Sequence, residues 1–278
     1  MVRIVSDTST LYSTTHAKEA GFNVSPLTVT INGQTYREFD DISSEEFVAI
    51  IRQGHMPTSS QPAIGDVAAL YDSFPGEEIL NVSMAMGLSG TYQSAVAAAD
   101  LCETAKDIQV LNTRTLCGPH RYLVELAVKM AEEGASMDEL LTVLNEKMDT
   151  AKSYLIPDDF DYLRRGGRLS PLVSYVGQAA KLTPVMTQTD DGCRLTIAAI
   201  RRGFNHAIKY VSGALDKAGV GAGWRVYISH ADAMDKAEAM MAGLKAVMPD
   251  AYYEIIPLSP AFITQGGPCC CAVQYIHE

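Results

Sequence analysis

Short strand-like runs alternate with helical patterns along the first half of the chain. Residues 2–6, 79–82 and 107–111 have the length and the content of branched apolar residues typical of buried strands. Residues 91–99 and 118–133 are rich in helix formers. Strands that alternate with helices favour a parallel sheet with helices packed on both faces. The pattern therefore predicts an α/β fold class, with a three-layer α/β/α arrangement and a parallel sheet in this half.

The second half of the chain has a different pattern. Residues 182–189 and 193–200 are extended runs on either side of the turn Asp190-Asp191-Gly192, which predicts a β-hairpin. Helical and strand-like segments alternate after it, so we predict a two-layer α/β unit with a mixed sheet. We expect the chain to divide into an N-terminal domain over residues 1–152 and a C-terminal domain over residues 153–278.

Three segments rich in Gly, Pro or hydroxyl groups are predicted to be loops. Residues 57–62, PTSSQP, form a hydroxyl-rich segment between two prolines. Residues 164–170, RRGGRLS, are predicted to be a flexible basic loop, followed by Pro171 at the start of a helix. Residues 264–268, TQGGP, are predicted to be the loop before the last strand, where they bring a side-chain amide towards the interdomain cleft.

The junction before the predicted helix 91–99 is the strongest candidate for a binding site. Gly87 and Gly90 free the backbone, and Ser89 and Thr91 place hydroxyl groups at the helix start. The unpaired N–H groups and the positive dipole end of a helix suit an anion such as a carboxylate or a phosphate. Ser and Thr are also ordinary helix caps, so a purely structural junction remains an alternative at this point.

Charge and hydropathy narrow the classes of function. Residues 1–150 carry a net charge of −12 and residues 151–278 a net charge of +1. So acidic a first half argues against a nucleic-acid partner, because such binding depends on neutralising phosphates. Neither a signal peptide nor an apolar run of about 20 residues is recognisable, so we expect a cytoplasmic protein without membrane insertion.

The six cysteines do not form a metal-binding pattern. Cys269-Cys270-Cys271 are consecutive, and neighbouring side chains of a strand alternate between its faces, so the three cannot surround one metal ion. Cys102, Cys117 and Cys193 lie among apolar residues. The cysteines are therefore predicted to be packing residues, and no metal site is expected.

A serine hydrolase is the alternative function from another class. Gly87-Leu88-Ser89-Gly90-Thr91 approximates the nucleophile elbow G-x-S-x-G, but its last position is Thr. Ser89 would also need a histidine and an acid to orient that histidine. The three candidate histidines for this role look like surface or strand-end residues: His206, His230 and His277. Phosphate-binding and dinucleotide-binding glycine motifs are not found. We assign no catalytic residue.

Five motifs in the same order give the chain a resemblance to a known family over its whole length. They are DTS at residues 7–9, PTSSQP at 57–62, LSGTYQSA at 88–95, YLRRGGRLS at 162–170 and TQGGP at 264–268. In these motifs the chain resembles the DegV family of bacterial fatty-acid-binding proteins, the FakB-type subunits of fatty acid kinase. The resemblance implies a non-enzymatic carrier that binds one long-chain fatty acid between two domains and requires no cofactor.

The resemblance also implies roles for particular residues. Ser89 matches the serine that binds the carboxylate, and Ser59 stands where many members have threonine. Arg168 matches the arginine associated with docking of a separate kinase, which phosphorylates the bound carboxylate for phospholipid synthesis. Gln265 stands where the family usually has a histidine that touches the carboxylate. Because a neutral amide makes weaker bonds than a cation, we expect weaker capture of a carboxylate, or a different head group.

The remaining site predictions combine this resemblance with physical chemistry. A buried carboxylate needs hydrogen-bond donors, and the backbone N–H groups of Gly90 and Thr91 are expected to join Ser59, Ser89 and Gln265 in that role. The acyl tail is expected to lie against apolar residues close to the motifs, with the Arg168 loop beside it in the C-terminal domain. The candidates for this acyl tunnel are Ile64, Phe160, Leu163 and Leu169.

Overall fold

The computed structural model describes residues 1–173 and 182–278. The strands of the first half are β1 (Val2–Asp7), β2 (Asn23–Ser25), β3 (Thr28–Ile31), β4 (Gln34–Arg37), β5 (Thr58–Ser60), β6 (Glu78–Ser83) and β7 (Asp107–Asn112). Its helices are α1 (Thr14–Glu19), α2 (Ser44–Arg52), α3 (Ile64–Asp72), α4 (Thr91–Leu101), α5 (Cys117–Glu132) and α6 (Met137–Met148). A 3-10 turn, Thr8–Thr10, follows β1 directly.

The second half adds the remaining elements. Its strands are β8 (Lys152–Ile156), β9 (Leu182–Gln188), β10 (Leu195–Arg202), β11 (Trp224–His230), β12 (Tyr252–Pro257) and β13 (Cys271–His277). Its helices are α7 (Phe160–Gly166), α8 (Phe204–Lys217), α9 (Met234–Lys245) and α10 (Pro260–Gly266). Pro171–Val173 form a 3-10 turn, and the helix predicted to continue from Pro171 lies outside the described residues.

The central sheet of the first half is parallel, in the order β2-β1-β6-β7. Helices α3 and α4 cover one face, where Tyr71 and Ala98 pack with Val5. Helix α5 covers the other face, where Leu123 packs in one apolar cluster with Leu80. Both faces of the two central strands, β1 and β6, are buried, as the apolar runs predict, whereas the edge strand β7 is partly exposed. The three-layer α/β/α arrangement predicted for this half is confirmed.

The second half contains a mixed sheet in the order β10-β9-β8-β13-β11-β12, in which only β11 and β12 pair in parallel. Helices α8 and α9 cover one face, where Val211 and Met240 pack against Val226 and Ile228. The opposite face packs against α5 of the first half. The predicted two-layer unit with a mixed sheet is confirmed, and α5 supplies a further layer from outside it.

Helix α5 approaches this sheet closely because its second residue is glycine. A Cβ atom on Gly118 would lie 2.1 Å from the ring of Tyr227 on β11. The Gly118 N–H donates to the side-chain oxygen of Gln274 on β13, over 3.3 Å. The Gln274 amide in turn donates to the Leu116 carbonyl oxygen, over 3.1 Å. These contacts join the two halves of the chain at the start of α5.

A small antiparallel sheet, β4-β3-β5, stands beside the parallel one. Asn32-Gly33, a dipeptide typical of two-residue hairpin turns, joins β3 to β4, and Ile31 pairs with Gln34 across that turn. The prediction that residues 57–62 are entirely loop is wrong. Ser59 pairs with Val29, which makes Thr58–Ser60 a short edge strand. Its pairing is with a partner far along the chain, so no local pattern revealed it.

Two other predicted loops are partly helical. Residues 164–166 form the last turn of α7, which ends where Gly167 adopts φ 71°, a conformation suited to glycine. Residues 264–266 form the last turn of α10, which begins with Pro260 and ends before Gly267 at φ 78°. The glycines thus stop helices here, and both ends lie beside the site described below. In the described part of the chain, no helix is long and apolar enough to cross a membrane.

Candidate functional site

An apolar cavity lies between the six-stranded sheet, helix α10 and the loop that follows β6. Its volume of about 110 Å³ far exceeds the space of about 10–15 Å³ that one water molecule needs, so it is more than a packing defect. Both halves of the chain supply its wall. Its polar members include Ser59, Ser89, Arg168 and Gln265. The structure therefore brings four of the residues singled out from the sequence to one cavity.

Ser59 and Gln265 are in direct contact at this cavity. The Gln265 Nε2 donates to Ser59 Oγ over 3.1 Å, which joins α10 to β5. The Gln265 Oε1 is buried and has no hydrogen-bond partner among the described residues. A Cβ atom on Gly166 of α7 would lie 2.1 Å from that oxygen. The glycine at residue 166 therefore provides the space in which the amide sits. The amide oxygen only accepts hydrogen bonds, so the group that can donate to a carboxylate is the second N–H of Nε2, whose first N–H is used by Ser59.

The junction before α4 is organised by hydroxyl groups. Ser89 Oγ lies 2.8 Å from Thr91 Oγ1, and the Thr91 N–H donates to Ser89 Oγ over 3.3 Å. This corrects the expectation that the Thr91 N–H is free for a head group, because its partner is Ser89. Gly90 is the N-cap of α4, and neither it nor the buried Thr91 belongs to the described cavity wall. Ser89 itself does line the cavity.

Arg168 lines the same cavity and also bridges two loops. Its Nε donates to the Leu88 carbonyl oxygen over 3.1 Å, and its Nη1 donates to the Gly166 carbonyl oxygen. Its partial burial lowers the pKa of the guanidinium below its ordinary value, and the nearby Arg194 lowers it further. An arginine remains charged despite such a shift. Arg168 therefore holds the Ser89 loop next to the end of α7 and brings a positive charge to the cavity.

The four residues expected to contact the acyl tail have different positions. Leu163 lines the cavity. Phe160 and Leu169 pack in one apolar cluster with Leu163, and they lie outside the described wall. Ile64 begins α3, is 41% exposed and also lies outside that wall, which corrects its assignment to the tunnel. Nearness to a motif in the sequence brought Leu163 to the cavity, but it did not bring the other three side chains there.

Most of the apolar wall was missed at the sequence level. Leu155 of β8 pairs with Met186 of β9 and with Ala272 of β13, so the three side chains form a row on one face of the sheet. Further wall residues are Leu27, Met84, Leu116, Leu195, Leu258, Ala261 and Phe262. Strand periodicity indicates which residues share a face, but the neighbours in a row depend on strand order and register. No local signal supplies those.

A buried histidine cluster bears on the hydrolase alternative. His120 Nδ1 lies 2.8 Å from Ser9 Oγ, and His120 Nε2 lies 3.1 Å from Ser6 Oγ. Burial lowers the pKa of His120, and both serines are buried with it. Such a cluster is closed to a substrate. Ser89, the residue proposed as nucleophile, has the Thr91 hydroxyl as its partner, and a hydroxyl does not activate a serine as a histidine does.

Two cysteines, Cys117 and Cys270, also belong to the cavity wall. All six cysteines are free thiols, and burial raises the pKa of both wall cysteines well above the ordinary value. These two are therefore neutral, weakly polar parts of an apolar surface. Among the described residues there is no group of three or more His, Cys, Asp or Glu side chains arranged to hold a metal ion.

The sequence and fold define the class of protein. The model of the DegV family matches residues 1–278, and the chain belongs to this family. A DegV domain-containing protein of Caldanaerobacter subterraneus is 31% identical over 221 residues, which is 79% of this chain and 78% of that protein.

Solved structures of DegV proteins have the same fold. A DegV lipid binding protein from Thermotoga maritima is 25% identical to this chain and gives a TM-score of 0.85. The superposition covers 99% of this chain and 98% of that protein. A DegV family protein from Eubacterium eligens, loaded with heptadecanoic acid, gives a TM-score of 0.85 at 18% identity, with full coverage of both chains.

Proposed function

We propose that this chain binds one long-chain fatty acid, with its head group between Ser59, Ser89 and Gln265 and its tail in the apolar cavity. The single observation that carries the proposal is the meeting of these three polar residues and Arg168 at one apolar cavity. The lipid and fatty acid named for the related structures support the same class of ligand.

The polar groups suit a carboxylate head group. A carboxylate without donors would cost several kcal/mol or would take up a proton. The Ser59 and Ser89 hydroxyls and the Gln265 amide are neutral donors, and Arg168 adds positive charge. Gly90 and Thr91 support the site indirectly in this proposal, because Thr91 orders the Ser89 hydroxyl.

The apolar wall supplies most of the affinity. Burial of a methylene group contributes about 0.8 kcal/mol, so a long tail outweighs any one hydrogen bond of the head group. The row of Met186, Leu155 and Ala272 and the side chain of Leu163 give the tail its contacts. Phe160 and Leu169 act behind this wall, where they hold Leu163 in place.

We further propose a carrier role rather than an enzymatic one. The bound carboxylate is presented to a separate fatty acid kinase, with Arg168 at the docking surface. Exposed Arg164 and Arg165 on α7 lie close to it in the sequence and share Asp161 as their ion-pair partner, so together with that carboxylate they extend the positive charge by one unit. We place the chain in the cytoplasm, where six free thiols remain reduced. The units of residues 1–152 and 153–278 act as the two domains that enclose the ligand, since the strands of each sheet fall on one side of that division except for Lys152, the first residue of β8.

Mass spectrometry of lipid extracted from the purified protein tests the proposal. We expect an acyl species in the extract, or uptake of added oleate or palmitate by lipid-free protein. A double variant, Ser59→Ala with Gln265→Ala, is expected to weaken binding about tenfold or more, because two donors to a charged group are lost. Absence of acyl species together with no uptake would overturn the proposal. Labelling of Ser89 by a fluorophosphonate would favour the hydrolase instead.

A further inference from the structure

Glu38 is a buried carboxyl group that the ligand site does not contact directly. It follows β4, and its side chain is 0% exposed. One of its oxygens bonds to the Thr8 hydroxyl, in the turn after β1. The other accepts the backbone N–H of Ala261, on α10, over 2.9 Å. A carboxyl group with both oxygens used and no access to water thus joins three separate parts of the fold.

Helix α10 is held at both ends by the region of the small sheet. Ala261 is bound by Glu38 near its start, and Gln265 is bound by Ser59 of β5 near its end. The two residues are one helical turn apart, which is a rise of about 6 Å. Ser259, the N-cap residue, makes no side-chain capping bond, so the Glu38 carboxyl serves the start of the helix instead. The position of Gln265 in the cavity therefore depends on Glu38.

The surroundings of Glu38 decide how it responds to pH. The nearby titratable groups in the described chain are Asp7, at the end of β1, and the Cys117 thiol, at the start of α5. Helix α10 carries no charged residue, and the adjacent Arg37 is exposed and paired with Asp41. Burial raises the pKa of Glu38 to about 7, although hydrogen bonds from its donors oppose the rise. Its charge therefore changes near neutral pH without a cation beside it.

We propose that Glu38 is a positioning residue for the ligand site: its neutral carboxyl latches α10, and its ionisation loosens α10 and with it Gln265. In the neutral form, one oxygen accepts the Ala261 N–H, and the protonated oxygen donates to Thr8 Oγ1, whose own O–H then turns away from Glu38. Once ionised, the group gains free energy by reaching water, and movement of α10 is the way to admit it. The ligand consequence rests on the function proposed above.

Hydrogen exchange of full-length protein tests the latch without a ligand. Opening that exposes Glu38 to water returns its pKa to an ordinary value. Linkage therefore predicts that the opening equilibrium constant of residues 258–266, after correction for intrinsic exchange, increases about tenfold between about pH 6 and about pH 8. The Glu38→Gln variant is expected to lose this increase. Helix α6 serves as the internal reference, and Glu146→Gln, on its exposed surface, is the control variant. Equal pH dependence in wild type and Glu38→Gln would overturn the inference.

Binding of the fluorescent fatty acid cis-parinaric acid tests the consequence for the site. The comparison is the ratio of wild-type to Glu38→Gln dissociation constants, in which titration of the ligand cancels. We expect a ratio of about 1 near pH 6 and of about 2 or more near pH 8, because only the wild type ionises. A ratio independent of pH would contradict the inference.

If neither protein binds the probe, the proposed function fails, and exchange still decides the role of Glu38. If Glu38→Gln does not fold, the pH dependence of α10 exchange in the wild type alone still decides it. Constant opening of α10 relative to α6 would then overturn the latch.

Discussion

At the scale of one residue, substitution of Gly166 is the most selective test of the proposed ligand site. It is helical, so alanine is compatible with its backbone, yet a Cβ atom there would meet the Gln265 side-chain oxygen at 2.1 Å. That oxygen is the far end of a flexible side chain, which can turn away. A methyl group therefore displaces the amide without breaking the fold.

Gly166→Ala is expected to weaken fatty-acid binding about threefold to tenfold, because one hydrogen bond to the head group is lost. The midpoint of thermal unfolding is expected to change little. Gly213→Ala is the matched control: Gly213 is also helical, with open space around the position of a Cβ atom, and binding should stay unchanged. Titration with cis-parinaric acid and thermal unfolding monitored by circular dichroism measure both effects. Equal binding by Gly166→Ala and wild type would contradict the assigned position of Gln265.

Glu38 also has a consequence for global stability. Its pKa of about 7 in the folded chain lies above its ordinary value of 4.5, so between these values the folded state binds more protons than the unfolded state. Its contribution to the free energy of unfolding is fully present below about pH 4.5 and is lost as pH rises through about 7. The shift corresponds to roughly 3 kcal/mol.

Glu38→Gln should remove this slope, so the difference in unfolding free energy between variant and wild type should grow in favour of the variant as pH rises. Urea unfolding at several pH values measures that difference, and Glu146→Gln is again the control. The same pH dependence in wild type and Glu38→Gln would show that Glu38 does not titrate as described.

At the scale of elements, helix α5 packs against the sheets of both halves of the chain. It covers one face of the parallel sheet and one face of the mixed sheet. Gly118 allows the second contact, because its Cα lies against the ring of Tyr227. The ring is held in a closed interior, so it cannot move aside as a surface side chain does.

Gly118→Ala is therefore expected to lower the free energy of unfolding by about 1–3 kcal/mol through overpacking. Gly65→Ala is the control, since a Cβ atom at Gly65 in α3 has open space and a helical glycine costs stability relative to alanine. Urea unfolding of both variants measures the difference. A stability of Gly118→Ala equal to that of wild type would contradict the close approach of α5 to β11.

Element prediction succeeded where the signal is local. The sequence pattern S-x-x-E is a local signal for a helix start, and Ser43 with Glu46 and Ser136 with Glu139 form capping boxes at the starts of α2 and α6. The sequence predicts loops for the short strand containing Ser59 and for the last turn of α10, and both predictions are wrong. Ser59 is in a strand only because β3 is its partner, and α10 is a short helix packed against α7, α2 and β5. Tertiary contacts decide such segments, and one sequence does not display them.

At the scale of the whole molecule, one apolar cluster runs through both halves of the chain. It includes Leu80 and Leu123 of the first half with Tyr227 and Ile263 of the second. Sequence patterns predicted both sheets, and the motif resemblance singled out the polar residues of the cavity. Apart from Leu163, neither predicted the apolar wall, because a wall made by two halves depends on how those halves pack.

This continuity predicts that the two halves unfold together. We expect a single urea transition, with coincident midpoints for Trp224 fluorescence and for far-ultraviolet circular dichroism, because the cluster is shared. Trp224 reports on the mixed sheet alone, whereas circular dichroism reports on the entire chain. Two separated midpoints would contradict a shared core and would favour independently stable domains.

Each half of the chain contributes part of the cavity wall, which has a consequence for engineering. Met84 and Leu116 come from one half of the chain, whereas Leu155, Met186 and Phe262 come from the other. A chimera that takes only one half from a relative would inherit a hybrid pocket whose two surfaces were never selected together. Transfer of a preference for tail length or tail shape should therefore require exchange of the residues that face each other on both sides of the cavity.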